Sequence, residues 1–360
     1  MLVPALSACG SDSNGRLLET PVEMPDQWRS DGVHSAPVED GWLRALDMPA
    51  LMPLVAEALE ANLDLRVTAA RLEQARRQAG IEHGARYPTI DLSLNVQRDR
   101  SHQETEAGGV DAVYLNERTF VLNVAWELDV WGALQARSEA AYADLEAARR
   151  DYGAARLSLA AQTAQLLIDV STARMQHDLA RTRVRSFEDT VERVRRRYER
   201  GLATAFDLHL AASDLRTAEG EFAERADQLA KVTRGFEVLL GRYPANLVEG
   251  LSNLPALRKA VPAGLPAALL ERRPDLAAER KRLLAAGYRV AAARAALLPR
   301  ISLTASVGTR DEQFKNLFDL DYLIANIAAN LVQPIFQGGR LRSQVRLNEA
   351  AQEEALAAYA

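Results

Sequence analysis

The residue best suited to covalent chemistry is the only cysteine of the chain, Cys9. It ends the run Leu6-Ser-Ala-Cys9, which fits a bacterial lipobox, a motif whose cysteine is lipidated and becomes the new first residue. The polar run 10–15 that follows has the composition of a flexible tether. The pattern predicts a partial lipoprotein signal over residues 1–9, with palmitate among the lipids attached at Cys9. The alternative is a chance match at a frayed terminus.

The other reactive side chains form no motif of catalysis or metal binding. The five histidines lie far apart in the sequence, and a single cysteine excludes a disulfide framework or a multi-cysteine metal site. HExxH, Walker A, GxGxxG and GxSxG motifs are missing from the sequence. We therefore predict that the protein is not an enzyme and has no cofactor. A hydrolase with a dispersed active site has no support from any residue.

The composition is that of a folded chain without affinity for nucleic acid. The 360 residues are 48% hydrophobic and 26% charged, which is enough for a packed core. The net charge is −5, whereas nucleic-acid binders usually carry a basic surplus. Residues 10–47 are rich in proline, serine, aspartate and glycine and are predicted to form an extended lead-in.

Two segments of the first half alternate between apolar and polar residues, which is the pattern of strands with one face of each kind. They lie within residues 89–128 and are predicted to form a β-hairpin. The polar segment from Arg98 to Asn116 is predicted to be a loop of ~20 residues between them. The apolar face either packs inside a soluble sandwich or faces lipid, with the polar face lining a water-filled lumen.

On the second interpretation, the polar side chains of two hairpins face the lumen. The predicted lumen-facing residues are Asp91, Ser93, Asn95, Glu127, Asn326 and Asn330. The two carboxylates among them would tune ion preference. Trp126 and Trp131 lie near a strand end, where either an aromatic girdle or plain packing accounts for them.

Helical patterns surround this hairpin. One helix is predicted over residues 48–87, and a second runs from Ala133 to Arg200 without a proline. At 1.5 Å per residue the second helix would be about 100 Å long, so it must pack on other long helices as a coiled coil. A turn at Gly201, Leu202, Ala203 and Thr204 then leads into a third helix. The T-x-x-D spacing from Thr204 to Asp207 predicts a capping box, so residues 133–241 form a long antiparallel helical hairpin.

The arrangement of helix, hairpin and long helix occurs twice. Pro88-Thr-Ile-Asp-Leu-Ser-Leu94 has a counterpart in Pro299-Arg-Ile-Ser-Leu-Thr-Ala305. The first repeat is predicted over 48–253 and the second over 254–360, with a helix, a hairpin at 300–333 and the start of a long helix. By this logic the second repeat ends roughly 90 residues early, so we expect a C-terminally truncated chain that does not form an open, conducting trimer by itself.

Two hairpins supply four strands, which are too few to close a barrel around a water-filled lumen. An open sheet edge in lipid would leave backbone N–H and C=O groups unpaired. Pooling the strands of three copies gives 12 strands and removes every edge. The predicted fold class is therefore mainly α with β: long antiparallel coiled-coil helices, and two amphipathic β-hairpins whose four strands join a shared trimeric 12-stranded outer-membrane barrel.

Four stretches resemble a known family, the TolC-like outer-membrane factors, in particular their NodT-type efflux lipoprotein branch. The resemblance covers about residues 42–360. The stretches that carry it are Tyr198-Glu-Arg-Gly-Leu-Ala-Thr-Ala-Phe-Asp207, Gly264-Leu-Pro-Ala-Ala-Leu-Leu-Glu-Arg-Arg-Pro-Asp275, Ala291-Ala-Ala-Arg-Ala-Ala-Leu-Leu-Pro-Arg-Ile-Ser-Leu303 and Gln333-Pro-Ile-Phe-Gln-Gly-Gly-Arg-Leu341.

The resemblance implies a homotrimeric, passive efflux duct for drugs, metals or other solutes. It would be lipid-anchored in the cell outer membrane, extend into the periplasm, and contact a periplasmic adaptor directly and an inner-membrane pump indirectly. Gly201, Leu202, Ala203 and Thr204 match the adaptor-docking tip, and Asp207 matches the periplasmic gate, although the capping box alone also explains Thr204 and Asp207. The alternative function is a soluble periplasmic coiled-coil interaction protein without channel activity.

Overall fold

The computed structural model describes Leu43, Leu46 and residues 48–104, 110–255 and 272–360. The helices are α1 (Leu51–Ala61), α2 (Leu63–Gly84), α3 (Ala133–Glu199), α4 (Ala205–Leu239), α5 (Pro274–Ala295) and α6 (Arg340–Tyr359). The strands are β1 (Thr89–Glu104), β2 (Val110–Leu128), β3 (Arg300–Asp311) and β4 (Leu323–Val332).

These elements form two compact units. The sheet unit contains Glu73–Ala148 and Leu276–Ala360, and the helical unit contains the described residues up to Leu72 together with Arg149–Asp275. These units do not coincide with the two predicted repeats, 48–253 and 254–360, which stay a prediction. Among the described helices, none has both the length and the apolar character that crossing a membrane requires.

The sheet unit holds one antiparallel sheet in the order β1-β2-β3-β4, so the two predicted hairpins pair with each other through β2 and β3. Gly308 permits this pairing, because a Cβ atom there would lie 2.0 Å from the carbonyl oxygen of Phe120. Within the sheet, β1 and β4 are the edge strands, and each has one hydrogen-bonded neighbour.

The predicted loop from Arg98 to Asn116 is wrong, because both strands of the first hairpin continue through it. The ladder extends to the pair Glu104 and Val110. The guanidinium groups of Arg98 and Arg100 lie 4.9 and 5.7 Å from the ring centroid of Tyr114, so cross-strand cation–π contacts support the polar ends of the strands. A strand is held by backbone pairing, and this pairing does not require apolar side chains.

The single helix predicted over residues 48–87 is also wrong, since Asn62 divides it into α1 and α2. Asn62 adopts an extended backbone conformation, with φ −64° and ψ 128°. Its side-chain oxygen accepts a 2.9 Å hydrogen bond from the N–H of Leu65, which caps α2. Its side-chain NH₂ group donates a 2.9 Å hydrogen bond to the carbonyl of Leu239, so the break is tied to the end of α4.

The helical unit has a core of its own. Leu51, Leu167, Phe236 and Leu240 are fully buried there and belong to one continuous apolar cluster. Gly241 lies just past the end of α4, and its φ of +75° suits glycine. A Cβ atom at this position would lie 2.6 Å from the carbonyl oxygen of Ala61, so the tight approach of the chain also requires glycine.

A buried carboxylate organises the connection that follows α4. Glu237 accepts hydrogen bonds from the backbone N–H groups of Asn246 (2.7 Å), Leu247 (2.5 Å) and Val248 (3.2 Å). Burial alone would raise the pKa of Glu237, but these N–H groups outweigh burial and lower it. The ionised side chain therefore fixes the path of residues 246–248.

Candidate functional site

The register of the sheet sorts its side chains into two faces, because directly paired residues project to the same side. On one face, Ile90, Val124, Ala305 and Ile327 form a row across the four strands. The next row on that face is Leu92, Leu122, Val307 and Ala325. We call this side the apolar face and the opposite side the polar face.

All six residues predicted to face a lumen lie on the polar face. Asp91 and Asn326 belong to one row, which Asn123 and Ser306 complete across the middle strands. The predicted lumen-facing set did not include these two residues, although the alternation of their strands puts them on this side. Their place in the row follows from the register. Asn123 also donates a 3.0 Å hydrogen bond from Nδ2 to the hydroxyl of Ser93, so this face carries its own polar contacts.

The polar face continues on both sides of this row. Glu127 pairs with Ser302, which pairs with Asn330. Asn95 pairs with Thr119, nearer the far end of the first hairpin. Beyond it, Arg310 Nε lies 3.6 Å from Glu117 Oε1. These rows are hydrophilic and suited to contact with water, although Val121 and Ile324 also lie on this face.

The apolar face is largely uncovered by the described part of the chain. Ile327 is 83% exposed, and Leu92 and Leu331 are also exposed. A continuous apolar surface of this kind is unfavourable in water and favourable in lipid. The polar face of the sheet therefore suits water, and the apolar face suits lipid.

Two tryptophans mark the end of the sheet where the strands join the helices. Trp126 Nε1 donates a 3.0 Å hydrogen bond to the carbonyl of Arg86, and Trp131 Nε1 donates a 2.7 Å hydrogen bond to that of Pro299. Both side chains remain substantially exposed. The two hydrogen bonds satisfy the indole N–H groups, and the choice between an aromatic girdle and plain packing for the exposed rings stays a prediction.

The predicted tip of the helical hairpin is a tight, well-defined turn. Gly201 has φ +70°, its N–H donates to the carbonyl of Tyr198, and the N–H of Leu202 donates to that of Arg197. These two bonds form a Schellman motif, which ends α3. The side chain of Leu202 is 65% exposed, so an apolar group projects from the turn.

The predicted capping box at the start of α4 is confirmed. The N–H of Asp207 donates to the hydroxyl of Thr204 at 3.2 Å, and the Thr204 N–H donates to the Asp207 carboxylate at 2.8 Å. The Thr204 hydroxyl also donates to that carboxylate at 2.7 Å. The pKa of Asp207 is lowered, first by the Thr204 backbone N–H, then by its hydroxyl, with a smaller contribution from the charge of Arg197.

An arginine-rich stretch precedes the tip, and all its arginines are exposed. Arg196 lies 3.5 Å from Glu192, and Arg193 donates to the hydroxyl of Thr190. These contacts lie within α3 and are typical of a solvated helix face. The stretch contains Arg193, Arg195, Arg196, Arg197 and Arg200.

Two features singled out in the sequence lie wholly or mostly outside the described residues. Cys9 lies outside the described residues, as does most of the stretch 264–275. Within the described ranges, no group of three or more histidine, cysteine, aspartate or glutamate side chains is arranged to hold a metal ion.

Comparison with known proteins gives a consistent result. The family model described as outer membrane efflux protein matches residues 54–242 and 265–360. The pyoverdine export outer membrane protein OpmQ of Pseudomonas aeruginosa is 30% identical over 361 residues, covering 98% of this chain and 75% of that protein. Outer membrane protein OprJ of the same species is 31% identical over 344 residues, covering 90% and 72%.

A solved structure agrees with these sequence matches. The outer-membrane channel OprN has a TM-score of 0.83 to this chain at 26% identity, covering 95% of this chain and 78% of that one. The fold is that of these outer-membrane channels, and the predicted fold class is confirmed. The chain spans about three quarters of the length of the proteins named here.

Proposed function

The chain belongs to the outer membrane efflux protein family and is an outer-membrane channel component of a tripartite efflux system, in which role we propose that it acts as a passive homotrimeric duct. Three copies pool their four-stranded sheets into a 12-stranded barrel. Drugs, metals or other solutes move along the polar face through water. The transport work comes from an inner-membrane pump, which the duct reaches through a periplasmic adaptor.

One observation carries this proposal: the sheet has a polar face, an exposed apolar face and two open edges. The row through Asp91 and Asn326 suits a water-filled lumen, while the row through Ile327 suits lipid. The edges at β1 and β4 present unpaired backbone groups, which lipid does not tolerate. Pairing β4 of one copy with β1 of the next satisfies both edges at once.

The family match and the channel relatives support this function and not the alternative of a soluble periplasmic interaction protein. A soluble protein would have to cover Ile327 and Leu331, which the described chain leaves exposed. We assign the chain a role in conduction and no catalytic role.

Two neighbouring residues on opposite faces test the proposal directly. We expect a cysteine at Asn326 to react with a membrane-impermeant maleimide in reconstituted vesicles, and a cysteine at Ile327 to stay unlabelled. Both variants carry Cys9→Ser so that only the new thiol reacts. Native mass spectrometry in detergent should give the mass of three chains, whether or not the assembled chains conduct. Equal labelling at both positions, or a monomer fully dispersed in plain buffer, would refute the duct.

The turn at residues 201–204 is proposed as the adaptor-docking tip, with Asp207 at the periplasmic gate. The support is an exposed apolar side chain, Leu202, on a rigid turn. A photo-crosslinker at Leu202 should capture a periplasmic adaptor in cells, whereas one at the similarly exposed Leu179, 20 residues before the end of α3, should not. Capture from both positions, or from neither, would contradict a docking role for the tip.

Lipidation at Cys9 is proposed as an additional anchor. The support is the Leu6-Ser-Ala-Cys9 pattern followed by a polar tether. Mass spectrometry of the mature N-terminus should find the acyl groups on Cys9. An unmodified Cys9 would remove this part of the proposal and leave the channel untouched.

A further inference from the structure

The connection between β3 and β4 is folded back onto the apolar face of the sheet. It contains two short 3₁₀ helices, Phe314–Phe318 and Leu320–Tyr322. The hydroxyl of Thr309 donates a 2.5 Å hydrogen bond to the carbonyl of Leu317, whose side chain is only 2% exposed. Because Thr309 pairs with Phe120 and so lies on the apolar face, the connection lies against that side of the sheet.

Aromatic contacts fix the same placement. The ring of Phe318 packs on the ring of Phe120, with centroids 5.9 Å apart. The guanidinium of Arg118, also on the apolar side, lies 5.2 Å from the ring centroid of Phe314. Even so, Phe318 is 80% exposed, and Phe314 and Leu320 are exposed as well. The connection therefore adds apolar surface to the face instead of merely covering it.

Hydrogen bonds hold this connection in a defined shape. Asp311 Oδ1 accepts from the N–H of Gln313 at 2.6 Å and from Asn316 Nδ2 at 2.9 Å. Asp319 caps the second 3₁₀ helix by accepting from the N–H of Asp321 at 3.0 Å. The exposed apolar groups are thus presented by an ordered segment.

The connection lies where the apolar face gives way to charged residues. On β2 the apolar-face positions run from Phe120 to Leu128, which matches a membrane-spanning strand of about 9–11 residues. The next position on that face is Arg118, paired with Asp311. At the other end of the strands the chain enters helices, so this boundary is the one farther from them along the chain. Boundaries of this kind attract aromatic and apolar side chains that dip into lipid.

Building on the proposed function, we propose that residues 314–322 form a membrane anchor, in which Phe314, Phe318 and Leu320 insert among the acyl chains of outer-membrane lipid at the extracellular boundary of the barrel. The anchor continues the lipid-facing surface of the sheet, which is why lipid rather than a protein is its partner. It fixes the depth and tilt of the strands against the membrane.

Spin labels can locate this segment in the intact chain. Single cysteines at Phe318, Leu320, Ile327, Asn326 and Glu312 are introduced with Cys9→Ser, labelled with a nitroxide, and reconstituted into phosphatidylcholine–phosphatidylglycerol vesicles. Power saturation then compares collision with oxygen, which concentrates in lipid, against collision with a water-soluble nickel chelate. We expect oxygen to dominate at positions 318, 320 and 327 and nickel to dominate at 326 and 312. Unchanged helical circular dichroism shows that each variant is folded.

The outcomes separate the anchor from the duct. Oxygen dominance at 327 with nickel dominance at 318 and 320 would overturn the anchor and leave the duct standing. Low collision with both reagents at 318 and 320 would also overturn it, because protein and not lipid would then cover the segment. Nickel dominance at 327 would remove the lipid-facing sheet and the duct itself.

Discussion

The core of the helical unit buries its apolar side chains, whereas the apolar face of the sheet leaves them exposed. In the helical unit, Leu51, Leu167 and Phe236 are fully buried among one another. In the sheet unit, the apolar row that includes Ile90 and Ile327 lies open on the surface. The helical unit encloses its own core, whereas the apolar face of the sheet depends on surroundings that the described chain does not provide. The helices of the sheet unit do bury apolar side chains, such as Leu283 and Val290, so the contrast concerns the sheet itself.

This difference shows which part of the molecule water alone can stabilise. Burial of Phe236 is favourable in any aqueous buffer because water is excluded by the unit itself. Exposure of Ile327 becomes favourable only in lipid or detergent. Substitutions in the two units should therefore respond differently to the same change of surroundings.

The largest expected effect comes from breaking the core of the helical unit. Phe236→Ala should lower the free energy of unfolding by about 3–5 kcal/mol, because it removes a fully buried ring and leaves a cavity. Phe206→Ala is the matched control, since Phe206 lies on the same helix and is 73% exposed. Its effect should stay within about 0.5 kcal/mol. Urea unfolding in detergent, followed by helical circular dichroism, measures both, and equal losses would contradict the assignment of the core.

The next largest effect is expected in the sheet. Substituting an exposed residue usually changes stability little, but the exposed Ile327 faces lipid in the proposed barrel, so a charge there should be costly. Ile327→Lys should cost about 2–4 kcal/mol in a bilayer, because it places a charge against lipid. Asn326→Lys, one residue away on the polar face, should cost little, since its ammonium group stays in water. The two are compared by urea titration of folding into phospholipid vesicles. A larger loss at Asn326 would reverse the assignment of the faces.

The buried carboxylate of Glu237 extends the comparison of buried and exposed positions to a polar group of the helical unit. Glu237→Ala should cost about 1–3 kcal/mol, because three backbone N–H groups lose their acceptor. Glu224→Ala, at an exposed position of the same helix, should change stability little. The same urea unfolding experiment measures both variants. An equal loss would show that the buried carboxylate of Glu237 contributes no more to stability than an exposed one.

Acid should weaken the hydrogen bonds between the Glu237 carboxylate and the backbone N–H groups of residues 246–248. Because the folded-state pKa of Glu237 is lowered, its stabilisation is complete above the ordinary glutamate pKa of about 4.3 and is lost as the pH falls through the folded value. The Glu237→Gln variant should have a flatter stability profile below pH of about 4.3 than the parent chain. Identical acid profiles of the two proteins would contradict this linkage.

The smallest effect belongs to the tip, which has hydrogen bonds and no core. Thr204→Ala should cost about 1 kcal/mol, because the N–H of Asp207 loses its side-chain acceptor. Hydrogen exchange of the first amides of α4 measures this loss locally. Thr217→Ala, at an exposed position inside the same helix, should leave exchange at the tip unchanged. Faster exchange in both variants would mean that the tip is not capped independently.

The sequence sufficed wherever the deciding contact is local. The capping box from Thr204 to Asp207 spans a single turn, and the two faces of the strands follow from an alternation of period two. For that reason the polar positions from Asp91 to Asn330 were predicted before any pairing was known. Their rows across the sheet required the register, which brings Asn123 and Ser306 between Asp91 and Asn326.

Long-range contacts account for the features that sequence reasoning missed. The break at Asn62 depends on the carbonyl of Leu239, which lies at the far end of another helix. The extension of β1 and β2 through Arg98 depends on backbone pairing with a partner strand. The role of Glu237 depends on a connection whose backbone N–H groups face it. None of these partners is visible in the local pattern of the residue concerned.

The pairing of β2 with β3 within one chain has a consequence for the kinetics of the proposed trimer. In a closed barrel of three copies, one strand pairing in four joins different molecules, and the others form within each subunit. Closure through the pairing of β4 with β1 should depend on protein concentration, whereas damage at Gly308 should slow a first-order step that dilution does not affect.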